Sequence, residues 1–328
     1  MPIWLIIVLS LIGGVLLLAI VLYLVVEIGY KKMFPRRGDG VNSIRYFHKD
    51  EFKGLSYKRV YIDSGKYRLG GYLYQKKNIK TFKALIIVNH GIGFGHAYLL
   101  PIIEKLCSES YLVLGYDQTS SGMSEGLRVK GMAQGVIDLE NVINFVKNND
   151  ELKELPLYIF AHSWGAYSSM VILNYINKVD KVVSIAGFNS EFEMFSKYVK
   201  ALIVLKPFFY LHNLIHYGKK GNLKAIDGLK KTNAKVLYIQ GEADRVVDPS
   251  IGSNLFKTVN RENVVIKTIP HKGHSCFFAS SSEENQGKLL AKYGLLGGVD
   301  EDFNNFVDFR KMSEVDPDIY SMISKFLD

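Results

Sequence analysis

Cysteine is almost missing from this 328-residue chain, which has only Cys107 and Cys276. Two cysteines cannot build a disulfide framework, and these two lack metal-site spacing, so they fit a reducing compartment. A concentrated basic tract is missing as well. The net charge of +9 is spread along the chain, which argues for solvated faces and against nucleic-acid binding. No internal repeat or low-complexity segment occurs. With 48% hydrophobic against 22% charged residues, the composition is that of a globular core rather than a disordered chain. The length admits one large domain with accessories, or two smaller ones.

Charge is wholly missing from Ile3 to Val26, where only Ser10 and the Gly13–Gly14 pair interrupt the apolar run. About 20 such residues cross a bilayer at 1.5 Å each. A basic n-region and a small-residue cleavage site are both missing, which argues for a retained anchor rather than a cleaved leader. Lys31, Lys32, Arg36, Arg37 and Arg45 follow the run and none precedes it. The positive-inside rule then places the remainder of the chain in the cytoplasm, as a single-pass membrane protein. Residues 31–56 read as a basic juxtamembrane linker broken by Pro35.

From Tyr57 the pattern changes. Tyr57–Asp63 and Leu69–Gln75, separated by Ser64-Gly65, read as a hairpin. Short apolar runs follow at Ala84–Val88, Tyr111–Tyr116, Leu157–Phe160, Lys181–Ile185, Val236–Ile239 and Val264–Thr268. Such runs are strands buried on both faces. Between them, Tyr98–Ser108, Gly131–Asn148 and Gly165–Ile176 have helical spacing. The alternation implies a mostly parallel sheet with helices on both faces. The interval from Gly187 to Lys235 is too long for one crossover, and its aromatic and aliphatic residues, split at Lys206-Pro207, read as an inserted helical cap.

Four motifs lie at strand ends. Ala161-His162-Ser163-Trp164-Gly165 follows a strand and precedes a helix, where a tight turn lifts a serine hydroxyl above the sheet. Small residues two positions either side permit that turn. Asn89-His90-Gly91-Ile92-Gly93 offers backbone N–H groups to an oxyanion, with Ile92 and Trp164 as the candidate donors. A dinucleotide fingerprint fails there, because His96 stands at the next glycine spacing. Gln240-Gly241-Glu242-Ala243-Asp244 supplies an acid to orient an imidazole. Asp248 competes, but it precedes Pro249 and reads as a helix cap; Glu191 is a third candidate. His271-Lys272-Gly273-His274 supplies the base at His274. His271 is the lesser alternative, the two do not make a metal pair, and His90 and His162 read as local hydrogen-bonding residues.

The order of these motifs resembles that of the α/β-hydrolases, and their content is similar to the monoacylglycerol lipase and serine aminopeptidase-type branch. His90-Gly91-Ile92-Gly93 resembles its oxyanion loop, and Tyr116-Asp117 with Ser121-Gly122-Met123-Ser124-Glu125-Gly126 resembles its Ser-Glu-Gly signature. Two features depart from the branch: Ala161 in place of glycine, and an extended stretch from Gly287 to Glu314. The resemblance implies an α/β-hydrolase fold over 57–328, with a cap over about 188–234 and an anchor over 1–30. It implies a catalytic triad of Ser163, Asp244 and His274 acting without cofactor or metal on a lipid or small ester. The expected function is hydrolysis of lipophilic acyl esters such as monoacylglycerols or lysophospholipids. The alternatives are a peptidase or acyltransferase on the same triad, or a non-catalytic tethered binding protein. No catalytic piece precedes Tyr57, so removal of residues 1–34 is expected to release an active soluble domain.

Overall fold

The computed structural model describes residues 1–34, 47, 49–93, 95–293 and 309–328. Pro35, Arg36, Arg37 and Arg45 of the linker, and residues 294–308 of the extended stretch, lie outside the described residues.

Among the described residues, eight strands form one sheet: β1 Leu55–Ser64, β2 Tyr67–Lys76, β3 Leu85–Asn89, β4 Leu112–Tyr116, β5 Leu157–His162, β6 Lys181–Ile185, β7 Lys235–Gly241 and β8 Val264–Ile269. Their order is β1-β2-β4-β3-β5-β6-β7-β8. The β1–β2 and β2–β4 pairs are antiparallel, and every later pair is parallel. The expected hairpin is β1–β2, turning through Gly65 at φ +61°.

Residue alternation along the strands divides the core in two. Leu85 and Ile87 of β3 face one cluster, with α3 (Ala133–Asn148) and α4 (Trp164–Val171). Ile86 and Val88 face the other, with α2 (Leu100–Ser108) and the C-terminal helix Pro317–Leu327. Both sheet faces are therefore buried, as the unbroken apolar strands require. Asp316 caps the C-terminal helix by accepting from the N–H groups of Asp318 and Ile319.

The insertion after β6 is shorter than expected. It contains α5 (Glu191–Tyr198), a 3₁₀ segment Lys200–Leu205, α6 (Lys206–Tyr217) and a second 3₁₀ segment Gly218–Asn222. The following α7 (Ala225–Lys231) is not cap. It packs on α4 as the crossover into β7, so closely that a Cβ on Gly228 would meet the Met170 carbonyl oxygen at 2.0 Å.

Helix α1 spans Ile3–Met33, about 46 Å at 1.5 Å per residue, and is long and apolar enough to cross a membrane. No residue before Val26 is buried. The end of the helix behaves differently: Val26, Tyr30 and Phe34 are buried and join the core cluster. Tyr30 stacks on His212 with ring centroids 3.9 Å apart and tilts against Phe209, while Phe34 meets Phe195 edge-on. The apolar helix and the body of the fold are thus not separable at residue 34. A chain lacking residues 1–24 keeps these contacts, whereas one lacking 1–34 loses three buried side chains worth about 1.5–3 kcal/mol each. The longer deletion is expected to lower Tm by roughly 10–20 °C relative to the shorter one in a thermal unfolding scan. Equal melting temperatures would show that the helix end adds nothing to the fold.

Candidate active site

Ser163 sits between β5 and α4 with φ 56° and ψ −116°, a left-handed conformation that costs an L-residue on the order of 1–3 kcal/mol. The turn is held where Ser163 N–H donates to the Ile185 carbonyl at 2.8 Å. Gly165 is required by close approach, since a Cβ there would meet the Asn89 carbonyl oxygen at 2.2 Å. Ala161 is fully buried in β5 and pairs with Asn89 and Ser184, so its methyl fits the α3/α4 side of the sheet.

His274 reaches this serine from the loop after β8. Its Nε2 lies 2.9 Å from Ser163 Oγ, and its Nδ1 lies 2.9 Å from Asp244 Oδ2 and 3.1 Å from Oδ1. A carboxylate only accepts, so Nδ1 carries the proton and Nε2 presents a lone pair to the hydroxyl. Burial alone would raise the Asp244 carboxyl. The adjacent His274 and the N–H groups of Val246 and Val247, each 2.9 Å from Oδ1, outweigh it and hold the carboxyl below its ordinary range. Gln240 Nε2 donates to Oδ2 at 3.3 Å.

The histidine loop is braced from several sides. Glu283, on α8 (Ser280–Tyr293), accepts from Gly273 N–H at 3.2 Å and from Ser275 N–H at 3.1 Å, gripping the backbone on both sides of His274. His162 Nε2 donates to the His274 carbonyl at 3.1 Å. Lys272 pairs with Asp316 at 2.8 Å and donates to the Phe278 carbonyl. Gly241 admits the loop at close range, since a Cβ there would meet the Lys272 carbonyl oxygen at 2.2 Å. Glu283 lies just before the Gly287–Glu314 stretch, on the helix that leads into it, and holds the His274 loop from there.

On the opposite side, Ile92 lies in the turn after Gly91, and Trp164 is the first residue of α4, where a backbone N–H has no intrahelical acceptor. The Asn89–Gly93 loop is fixed through His90. Gln118 N–H donates to its Nε2 at 2.9 Å, so Nδ1–H donates to the Gly91 carbonyl at 2.7 Å. Behind the loop, the buried Asp117 accepts from His96 N–H at 2.7 Å, His96 Nδ1–H at 2.8 Å and Met123 N–H at 2.9 Å. Burial pushes the Asp117 carboxyl up, but His96, His90 and the Met123 N–H pull it down to about 2. His96, which breaks the glycine spacing, is thus a structural partner of Asp117.

The rival residues lie elsewhere. Asp248 accepts from Ser250 N–H at 2.8 Å as the cap of Pro249–Ile251, and it pairs with Lys197 at 3.3 Å. Glu191 is fully enclosed between cap and core, accepting from Met132 N–H at 2.8 Å and Asn213 Nδ2 at 3.1 Å; burial pushes its carboxyl up to about 7. His271 is exposed on its turn at φ 62°. Cys107 and Cys276 are both free and buried.

Residues 80–223 match the model of the serine aminopeptidase S33 family. That stretch includes the Asn89–Gly93 loop, Ser163 and the cap, and ends before Asp244 and His274. Among solved structures, an esterase of Pyrococcus furiosus is 19% identical with a TM-score of 0.56, over 75% of this chain and 94% of its own. Acetyl xylan esterase 1 from Thermoanaerobacterium sp. is 18% identical with a TM-score of 0.51, over 79% and 96%. Est1E from Butyrivibrio proteoclasticus, solved with bound ferulic acid, is 17% identical with a TM-score of 0.52, over 71% and 98%. Among curated proteins, none matches this chain. The fold is the α/β-hydrolase fold.

Proposed function

We propose that this serine hydrolase of the α/β-hydrolase superfamily is a membrane-anchored esterase of lipophilic acyl esters. One arrangement supports the reading above all. A strained serine lies 2.9 Å from a histidine that a buried carboxylate orients, in a chain whose cap packs on an apolar 31-residue helix. His274 Nε2 takes the Ser163 proton as Oγ attacks the ester carbonyl. The N–H groups of Ile92 and Trp164 stabilise the oxyanion. The imidazolium, held by Asp244, then passes its proton to the departing alkoxide, and water attacks the acyl-enzyme by the same route.

The lipophilic preference is argued from the cap. Ile203, Val204, Leu211, Leu214 and Ile215 present exposed apolar surface next to α1. The cap lysines divide: Lys197 and Lys220 are engaged with Asp248 and Glu140, whereas Lys200 and Lys219 remain exposed toward a headgroup layer. Phe209 is buried against Tyr30, Phe192 and Phe195 and packs the cap onto the helix end. Along a series of 4-nitrophenyl esters, kcat/KM is expected to rise about fourfold per methylene from acetyl upward, the equivalent of about 0.8 kcal/mol per buried CH₂. A strict preference for acetyl or butyryl esters would leave a small-ester hydrolase held at a membrane.

Amide cleavage is the second reading, favoured by the family match to serine aminopeptidases. Aminoacyl 4-nitroanilides in the same assay separate it from the first. For orientation, the positive charges after the apolar run favour a cytoplasmic body. A cysteine introduced at the exposed Lys58 should resist a membrane-impermeant maleimide in intact cells and react after lysis, with Cys107 and Cys276 silent through burial. Labelling in intact cells would reverse the orientation.

A further inference from the structure

Helix α6 carries His212 and His216 four residues apart, and α1 brings Glu27 against both. Such a pair points one way on a helix face and is a frequent basis for a zinc site. Glu27 Oε2 lies 3.0 Å from His212 Nδ1 and 3.4 Å from His216 Nε2, and all three ligand atoms fall within 4.8 Å of one another. In a tetrahedron with metal–ligand bonds of about 2.0–2.1 Å, ligand atoms stand about 3.3 Å apart. The two distances bracket that edge.

Proton accounting gives an independent reason for a cation. The His212 side chain is fully buried, and its Nε2–H donates to the Lys130 carbonyl at 2.6 Å. Its Nδ1 makes no hydrogen bond although a carboxylate oxygen is 3.0 Å away. In the neutral ring this places a lone pair against another acceptor, so something positive belongs between them. A proton on Nδ1 is one answer; a metal ion held by that lone pair and the facing carboxylate is the other. A cavity of about 10 Å³ adjoins Glu27 and His212, room for one water-sized body. The Lys130 carbonyl then serves as the outer partner that fixes the His212 tautomer.

We propose that Glu27, His212 and His216 form a site for a zinc-class divalent cation that clamps the membrane helix to the cap. Imidazole and carboxylate donors suit zinc and its neighbours rather than calcium or magnesium. The three protein ligands leave a fourth position for water or an incoming donor. One group opposes the ion: Lys130 Nζ lies 3.2 Å from His216 Nδ1. Metal on Nε2 moves that ring's proton to Nδ1, so the exposed ammonium must turn away. Lys31 and Arg128, at the same cavity, add positive charge that solvent screens.

The test uses full-length protein in detergent, stripped with a chelator and then titrated with Zn²⁺ or Co²⁺. One metal per chain is expected, with a rise in Tm and visible cobalt absorption of the four-coordinate type. Glu27→Gln and His212→Gln should each weaken binding by at least about 100-fold, given that even outer partners cost 10–100-fold. Circular dichroism of each variant identifies a loss caused by misfolding. Lys130→Gln retains the backbone carbonyl and removes the competing charge, so it should tighten metal binding. Binding that persists unchanged in Glu27→Gln, or that weakens in Lys130→Gln, overturns the site. So does a Tm indifferent to metal in the wild-type chain.

Discussion

Ser163→Ala is expected to lower kcat by about 10⁶-fold and to abolish covalent labelling by a fluorophosphonate probe, with the fold unchanged. The size of the effect follows from the arrangement. Ser163 Oγ is the atom 2.9 Å from His274 Nε2, and no other hydroxyl is hydrogen-bonded to that nitrogen among the described residues. Alanine cannot accept an acyl group, and a water in its place lacks the orientation that the turn provides. Stability should barely move, because serine and alanine bear the same strain at φ 56°. Ser163→Gly should instead gain roughly 1 kcal/mol by relieving that strain, which thermal unfolding reads directly. Labelling that persists in Ser163→Ala would move the nucleophile elsewhere.

Much of this arrangement is legible in the residue string because strands and turns are local. Val236–Ile239 is apolar throughout, so β7 and the acid after it are located from a few residues of sequence; the same holds for Leu157–Phe160 and the serine turn. Asp248 before Pro249 is readable as a cap for the same reason, and Asp248 does accept from Ser250 N–H. What escapes is long-range. Glu283 stands in a polar run, Ser280-Ser281-Ser282-Glu283-Glu284, and nothing local tells that its carboxylate turns back to hold the His274 loop. The docking of α1 did leave a trace. Val26, Tyr30 and Phe34 recur every four residues, an amphipathic stripe continuing past Glu27 where the all-round apolar run ends. Placing Val26 and Tyr30 in an anchor and Phe34 in a linker misses it, because charge at a membrane boundary and charge beside a packed helix face look alike in sequence. Likewise α7 looks like more cap until its packing on α4 is known.

The choice of acid gives the other large effect. Asp244→Asn should lower kcat by about 10⁴-fold, while Asp248→Asn should leave it within a few-fold of wild type. Both residues sit just beyond β7, four positions apart, and both carboxyls lie below their ordinary range, so the direction of the shift does not separate them. Their partners do. Asp244 is buried and holds His274 Nδ1 with its two oxygens at 2.9 and 3.1 Å. An asparagine there can present its NH₂ to Nδ1, which favours the tautomer with the proton on Nε2 and removes the lone pair that Ser163 needs. It also withdraws the negative charge that stabilises the imidazolium. Asparagine keeps a carbonyl for the N–H groups of Val246 and Val247, so the turn should survive and the loss should fall on kcat. Asp248 instead accepts from Ser250 N–H and pairs with Lys197 on α5. Asparagine caps helices nearly as well as aspartate, and a partly exposed ion pair contributes only about 0–1 kcal/mol. The comparison is a matched pair of conservative changes, read by kcat and by the rate of fluorophosphonate labelling in the same preparation. If Asp248→Asn proves the crippling change, the catalytic acid lies at the cap side of the loop and the His274–Asp244 contact is structural.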